Sequence, residues 1–177
     1  MDAAKLIEEL IELTQQNMND VQALKALTDE QLNFKSNAES WSILECIEHL
    51  NRYGEFYIPE ITRRLEQSKY PKSSKFKAGV LGNYFSKLML PKEGMKKMKT
   101  FSEMNPLNSG LGRDVLSKFI HQQEVMLQLL DKAKNKDLTK IRTSISISKW
   151  IKLRLGDTFR VVIYHNQRHI VQAKHIY

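Results

Sequence analysis

SILECIEHLNRYGEFYIPEITRRLEQ, residues 42–67, gives the main evidence in this chain for its fold. Ser42 and Glu45 form the S-x-x-E pattern of a capping box, which marks the start of a helix. Apolar residues then recur at helical spacing along one face: Ile43, Leu44, Ile47, Leu50, Phe56, Tyr57 and Ile61. The stretch therefore predicts an amphipathic helix of about seven turns, which can bend at Gly54 or Pro59.

Three further long segments repeat apolar residues at the same helical period: residues 2–18, 112–134 and 157–177. Asp2 and Asp157 are suitable N-cap residues for the first and last of these helices. The polar run near residues 17–20 predicts a break, after which a short helical stretch continues toward residue 35. Together with residues 42–67, these segments give four long amphipathic helices.

The segments that connect these helices add little regular structure. A short apolar helix is predicted between Gly79 and Pro91, followed by a long irregular connection over residues 91–110. The alternation in ISIS, residues 145–148, is compatible with a strand, but a lone strand has no partner, so we expect an extended or 3-10 connection there. The chain is therefore predicted to be all-α, a four-helix bundle in a single domain over residues 1–177.

Composition and charge limit the classes of function. The formal net charge is +8, but its main sources, residues 63–77 and 91–99, have the character of solvated connecting segments. The sequence contains no helix-turn-helix, zinc-finger or RNA-binding pattern, and no run approaches the roughly 18 apolar residues that span a bilayer. We therefore expect neither a specific nucleic acid nor a membrane among the partners.

The first residues and the cysteine content indicate a cellular compartment. The N-terminal MDAAKLIEEL is acidic and amphipathic, whereas a signal peptide has a basic region followed by an apolar run. Cys46 is the single cysteine, which excludes an intramolecular disulfide and fits a reducing environment. We therefore expect a cytoplasmic protein.

Histidines are concentrated near the end of the chain. His165 and His169 are spaced i, i+4 on the last predicted helix, so they share one face at about 5–6 Å between Cβ atoms. His49 lies near the core-facing edge of the helix over residues 42–67, and the two helices can pack beside each other in a bundle. The three imidazoles would then meet at one divalent ion, for which Zn²⁺, Ni²⁺ and Fe²⁺ are suitable. A histidine buried in the core without metal is the alternative.

The remaining candidate residues have simpler interpretations. Cys46, three residues before His49, could add a soft ligand, but we favour its interpretation as a small buried apolar residue. Glu45 could serve as a general base, although the capping box already uses its carboxylate. We expect His121 to be a partly exposed helical residue, and His175 to favour the negative end of the helix dipole.

Two motifs resemble those of the DinB-like family. ESWSILECIEHL, residues 39–50, is similar to the W-S-x-x-E-x-x-x-H-L opening of that family's second helix. GDTFRVVIYHNQRHIVQ, residues 156–172, resembles the family's closing helix with its paired histidines. The resemblance implies an up-down-down-up bundle of the DinB/YfiT type, with a divalent metal ion held by His49, His165 and His169. It also allows a homodimer.

The resemblance implies metal-dependent enzymes of two kinds, and it also leaves open a non-catalytic binding bundle. The first kind is a thiol-dependent S-transferase that uses bacillithiol or mycothiol to attack a small electrophile. The second is a hydrolase that activates water at the metal. We favour the S-transferase because a thiol bound at a metal needs less help from a base. Lysines of residues 91–99 could attract the carboxylates of a bacillithiol-like thiol.

Overall fold

The computed structural model describes residues 1–91 and 100–176. Its helices are α1 (Ala3–Leu24), α2 (Asp29–Asn33), α3 (Ile43–Gln67), α4 (Val80–Met89), α5 (Asp114–Ala133) and α6 (Leu155–Lys174). A two-stranded antiparallel sheet, β1 (Arg142–Ile145) and β2 (Ser148–Arg154), precedes α6, and a 3-10 turn covers Ser102–Met104. The predicted helices over residues 42–67, 79–90 and 112–134 are thus confirmed.

The four long helices pack so that α1 and α3 each contact both α5 and α6. Their apolar faces form one cluster near the start of α1 and another near the start of α3. The largest fully buried side chains include Leu10, Phe119, Phe159, Leu44 and Leu116. Because burial of such side chains is the dominant favourable term in folding, these two clusters hold α3 and α6 beside each other.

A layer of buried amide side chains ties the long helices together. Asn17 of α1 donates to the carbonyl of Ile163 on α6 at 3.3 Å. Asn166 of α6 donates to Gln123 of α5 at 3.0 Å, and Asn51 of α3 donates to the carbonyl of Val115 at 3.0 Å. Buried polar groups need such partners, so these bonds fix the helices along the bundle axis.

The predicted break near residues 17–20 is wrong, because α1 runs without interruption from Ala3 to Leu24. Asp2 caps its start and accepts from the amide of Lys5, as predicted. Asn17 gave the segment its polar character, but its side chain is buried in the amide layer. The prediction therefore mistook a polar residue that is buried inside the bundle for the end of a helix.

The expected extended connection around residues 145–148 is also wrong, because residues 142–154 form a β-hairpin. The partner strand is SKWIKLR, the seven residues of β2, which pair with β1 in antiparallel register. The buried side chains of Thr143, Ile145 and Leu153 anchor the hairpin to the bundle. The partner was overlooked because charged residues interrupt the apolar pattern of β2.

The last helix begins earlier than predicted, and Asp157 is not its N-cap. Arg154 occupies the cap position, and Asp157 lies in the first turn of α6. Its Oδ2 accepts from the amide of Gly79 at 2.7 Å, and its Oδ1 accepts from Arg160 at 3.3 Å. Asp157 therefore links the start of α4 to α6.

No helix in the described parts of the chain is long and apolar enough to cross a membrane.

Candidate metal centre

Three histidines from two helices meet at one point of the bundle. The Nε2 atoms of His49 and His165 lie 3.3 Å apart. One ring nitrogen from each of His49, His165 and His169 lies within 4.8 Å of the others. The ring centroids are 5.0 Å apart for His49 and His165, 4.6 Å for His49 and His169, and 4.7 Å for the pair on α6.

The secondary structure explains this meeting. His165 and His169 are one turn apart on α6, so both project from the same face. His49 is buried in the middle of α3, which packs against α6. The histidines therefore converge because the bundle places the two helices side by side.

Hydrogen bonds at the far side of two rings fix their tautomers. The Nδ1 of His49 lies 2.7 Å from the carbonyl oxygen of Met104, in the 3-10 turn. The Nδ1 of His169 lies 2.9 Å from Oε1 of Gln172. Both oxygens can only accept, so each Nδ1 carries a proton and each Nε2 keeps its lone pair. This is the usual outer shell of a metal-binding histidine.

The surroundings keep the three imidazoles neutral. Burial lowers the pKa of His49 to about 4, a shift that the Met104 hydrogen bond opposes and the Arg52 charge reinforces. Burial and the neighbouring His49 lower the pKa of His169 to about 3. Burial, His169 and His49 lower the pKa of His165 well below its usual value. Neutral imidazoles are the form that binds metal, so the donor set fits a divalent cation.

A cavity of about 1230 Å³ opens beside the three histidines. Its wall includes five large aromatic side chains: Trp41, Tyr53, Tyr57, Phe85 and Phe101. The Trp41 ring lies 4.7 Å from that of His49 and 5.7 Å from that of His169, and its Nε1 donates to Asn105 at 3.1 Å. Apolar cavities with a few convergent polar groups are typical of small-molecule sites.

Tyr53 brings a hydroxyl to this cavity. Its ring centroid lies 5.0 Å from that of His49 and 4.7 Å from that of His165. Burial, and then the neighbouring Tyr57, raise the pKa of Tyr53 to about 12, so the phenol keeps its proton and remains a hydrogen-bond donor.

The structure gives Glu45 and Cys46 places outside the histidine cluster. Glu45 completes the predicted capping box, with Oε2 accepting from the Ser42 amide at 2.8 Å. Its Oε1 accepts from Lys35 at 2.9 Å and from the Asn108 amide at 2.6 Å. Cys46 is buried, and burial followed by the Glu45 charge raises its thiol pKa to about 12. Both residues therefore have structural roles that explain them.

Arg168 and the remaining candidate residues are divided between the cavity and the surface. Arg168 lines the cavity and donates to the carbonyl of Leu88 at 3.1 Å. His175 caps α6, bonds to the carbonyl of Val171 at 2.6 Å and also reaches the cavity wall. His121 is exposed beside Glu124. The lysines expected to attract a thiol substrate lie among residues 92–99, outside the described residues.

Sequence reasoning missed three groups that support the histidines. Tyr53 follows His49 by four residues and Gln172 follows His169 by three, so helical spacing alone could have identified both. The carbonyl of Met104 gave no sequence signal, because a backbone oxygen carries no residue identity. Tertiary packing alone brings it to His49.

Comparisons with known proteins agree with this architecture. The family pattern described as the DinB superfamily matches residues 10–173. No curated protein sequence matches the chain. A solved structure, YfiT from Bacillus subtilis, is similar over 96% of this chain and 85% of its own, with 14% identity and a TM-score of 0.59. That protein is described as a probable metal-dependent hydrolase with an unusual four-helix bundle topology. The likeness confirms the predicted four-helix bundle, and the family match shows that this chain belongs to the DinB superfamily.

Proposed function

We propose that His49, His165 and His169 hold a divalent metal ion and that the chain is a metal-dependent enzyme acting on small molecules. The observation that carries this proposal is the convergence of three ring nitrogens within 4.8 Å at the wall of a large cavity. Three protein ligands leave coordination positions for a substrate, which is typical of catalytic rather than structural sites. Zn²⁺, Ni²⁺ and Fe²⁺ all suit three imidazoles.

The bound ion would supply Lewis acidity, which lowers the pKa of a thiol or water that it coordinates. The protein itself holds the metal-binding imidazoles in a fixed orientation. Met104 and Gln172 orient the imidazoles of His49 and His169 through their Nδ1 atoms. Trp41 packs against both rings and limits their movement.

The cavity favours transfer of a thiol to an electrophile as the reaction. Among the described residues that line it, Glu39 alone carries a carboxylate, and it is exposed. A hydrolase commonly needs a base close to the attacking water, whereas an ionised thiol is a nucleophile without one. A volume of about 1230 Å³ also exceeds the 300–1000 Å³ typical for one drug-sized ligand. It can hold a thiol and a second substrate together.

The proposed step joins sulfur to carbon. The thiol releases its proton to solvent, its sulfur bonds to the electrophilic carbon, and the leaving group departs with the bonding electrons. The aromatic wall binds the apolar part of the electrophile. Tyr53, which lines the cavity, would donate a hydrogen bond to the oxygen or halide on which negative charge develops.

Hydrolysis is the second candidate function. It is favoured by the structural likeness to YfiT, which is described as a probable metal-dependent hydrolase. In this reaction water adds to a carbonyl carbon and the leaving group departs with a proton. The same three imidazoles and a hydrogen bond from Tyr53 would serve both reactions.

Product analysis distinguishes the two reactions. Untagged protein loaded with Zn²⁺ or Ni²⁺ is incubated with bacillithiol or cysteine and a chloronitroaromatic electrophile, and separately with a nitrophenyl ester. Mass spectrometry then detects a thioether or a carboxylic acid. We expect metal-dependent thioether formation that His165→Ala abolishes and His121→Ala retains, because His121 is exposed and outside the cluster.

Ester cleavage without thioether formation would establish the hydrolase instead. A metal-loaded protein that binds these compounds without converting them would support a binding bundle. Equal turnover by His165→Ala and the unchanged protein would contradict both enzymatic proposals.

A further inference from the structure

Helix α4 packs on the bundle through two small side chains and exposes several large apolar ones. Gly82 and Ser86 are buried, and a Cβ added at Gly82 would lie 2.4 Å from the Cβ of Asp157, so α4 approaches α6 closely. Val80 is 94% exposed and Tyr84 is 60% exposed, and Leu81 is exposed beside them. Since a surface helix normally turns its apolar face toward the core, this arrangement indicates a surface that another molecule covers.

The β-hairpin extends this exposed apolar surface. Trp150 is 93% exposed, and Ile147 and Ile151 are also exposed. Strand β2 contacts α4, so the two elements lie next to each other. Large apolar side chains that are exposed together mark an interaction surface more often than isolated ones do.

The two segments that build this surface carry positive charge and no acidic residue. Residues 68–90 and 138–154 contain no Asp or Glu, and we call their combined surface the α4–hairpin face. Arg154 donates to the carbonyls of Lys77 and Ala78, and the Lys77 amide donates to Thr139 at 3.0 Å, so the segments are joined. Their cations are Lys69, Lys72, Lys75, Lys77, Lys87, Lys140, Arg142, Lys149, Lys152 and Arg154.

We propose that the α4–hairpin face binds the surface of a lipid bilayer that contains anionic lipids. Tryptophan and tyrosine favour the interface between lipid and water, and aliphatic side chains insert among the first carbons of the acyl chains. Lysines near the bilayer surface are attracted by anionic headgroups. The face supplies these three elements through Trp150 and Tyr84, Val80 and Leu81, and its surrounding lysines.

Other partners fit this face less well. A second copy of the chain would oppose the same cations without an acidic residue from the face to compensate them. A nucleic acid would use the cations and stack its bases on the aromatic rings, but it gives no role to exposed Val80, Leu81 and Ile151. The combination of aliphatic side chains with cations therefore favours lipid.

The proposal differs from the expectation, drawn from the sequence, that no membrane takes part. The sequence shows that residues 79–90 are largely apolar, but it cannot show that α4 exposes Val80, Leu81 and Tyr84. Leu88 and Ile147 belong to this face, are exposed and also line the cavity. The cavity therefore opens toward the surface that would meet the bilayer.

Vesicle co-sedimentation tests the proposal independently of any enzymatic activity. The protein is mixed with vesicles of phosphatidylcholine alone or of phosphatidylcholine with phosphatidylglycerol. We expect at least about tenfold stronger partitioning into the anionic vesicles, and weaker partitioning as salt rises. The double variant Tyr84→Ala/Trp150→Ala should lower partitioning about tenfold, and Lys149→Glu should lower it about fivefold.

Phe34→Ser is the matched control, because Phe34 is an exposed aromatic residue outside the α4–hairpin face. It should change partitioning by less than about twofold, and circular dichroism should show that each variant is folded. Equal partitioning of the double variant and the unchanged protein would overturn the proposal. So would tighter binding to a single-stranded oligonucleotide than to the anionic vesicles, or a solution dimer that the double variant dissociates.

Discussion

The Nε2 atoms of His49 and His165 lie 3.3 Å apart although 116 positions separate the two residues in the chain. This contact exists only when α3 and α6 are docked, so the candidate centre is a product of the whole bundle. An ion bound there would hold the two helices together, because it would bind the folded chain and not the unfolded one. Metal binding and folding stability are therefore expected to rise together.

The hydrogen bond between Gln172 and His169 gives the first prediction. Gln172→Leu should weaken metal affinity about 10- to 100-fold, because the Nδ1 of His169 loses the acceptor that fixes its tautomer. Gln172 is exposed, so the fold should persist. Competition with a chromogenic chelator measures the affinity, and Gln128→Leu on the exposed face of α5 is the control. Unchanged affinity in Gln172→Leu would show that this bond does not orient a ligand.

Tyr53 gives the second prediction, which rests on the proposed function. Tyr53→Phe should lower kcat/KM about 10- to 100-fold while the bound metal stays constant, because only the donated hydrogen bond is lost. Tyr70→Phe, at an exposed tyrosine outside the cavity, should leave both quantities unchanged. Steady-state kinetics and metal analysis of the same samples separate the two effects. A loss of metal in Tyr53→Phe would assign this hydroxyl to the ligand shell instead.

The close approach of α4 to α6 gives the third prediction. Gly82→Ala should destabilise the protein by about 1–3 kcal/mol, because the new Cβ would lie 2.4 Å from the Cβ of buried Asp157. Gly110→Ala is the control, since an added Cβ at Gly110 meets nothing within 4 Å. Urea unfolding measures both variants. Equal midpoints would mean that α4 is not packed tightly on α6.

Glu60 gives the fourth prediction, on the pH dependence of stability. Burial would raise its pKa, but the Ser144 amide at 2.8 Å and the hydrogen bonds from Arg63 and Arg64 outweigh burial and lower it to about 2. Because the folded pKa lies below the unfolded value, the ionised carboxylate stabilises the fold above about pH 4.5. That contribution is lost as the pH falls toward 2.

Glu60→Gln should therefore reduce the free energy of unfolding by roughly 1–3 kcal/mol at pH 7, and by much less near pH 2. Urea unfolding across this pH range provides the test, with Glu66→Gln, an exposed residue of the same helix, as the control. A destabilisation of equal size at both ends of the range would show that the Glu60 charge is not the cause.

Local patterns were sufficient to predict the parts of the fold that depend on neighbouring residues. The capping box of Ser42 and Glu45 and the i, i+4 pair of His165 and His169 are both set by helical spacing, and the structure contains both. Asn17 shows where such reasoning fails. Its polarity suggested a helix end, yet a partner on α6 accepts its hydrogen bond inside the bundle.

The hairpin and the outer contacts of the site depended on tertiary structure. Strand β2 carries Lys149 and Lys152 between its apolar residues, so its alternation was hidden until pairing with β1 was visible. The contact between His49 and the carbonyl of Met104 joins residues 55 positions apart. Every residue has a backbone carbonyl, so the sequence cannot indicate which one contacts His49, and only the folded structure identifies it.

Measuring the metal content tests whether His49, His165 and His169 bind an ion. Protein expressed without a histidine tag is analysed by inductively coupled plasma mass spectrometry, beside His49→Ala, His165→Ala and the control His121→Ala. We predict about one equivalent of a divalent transition metal in the unchanged protein and in His121→Ala, and its loss in the other two variants. Absence of metal from the unchanged protein after incubation with Zn²⁺, Ni²⁺ or Fe²⁺, or full retention in His165→Ala, would contradict the account.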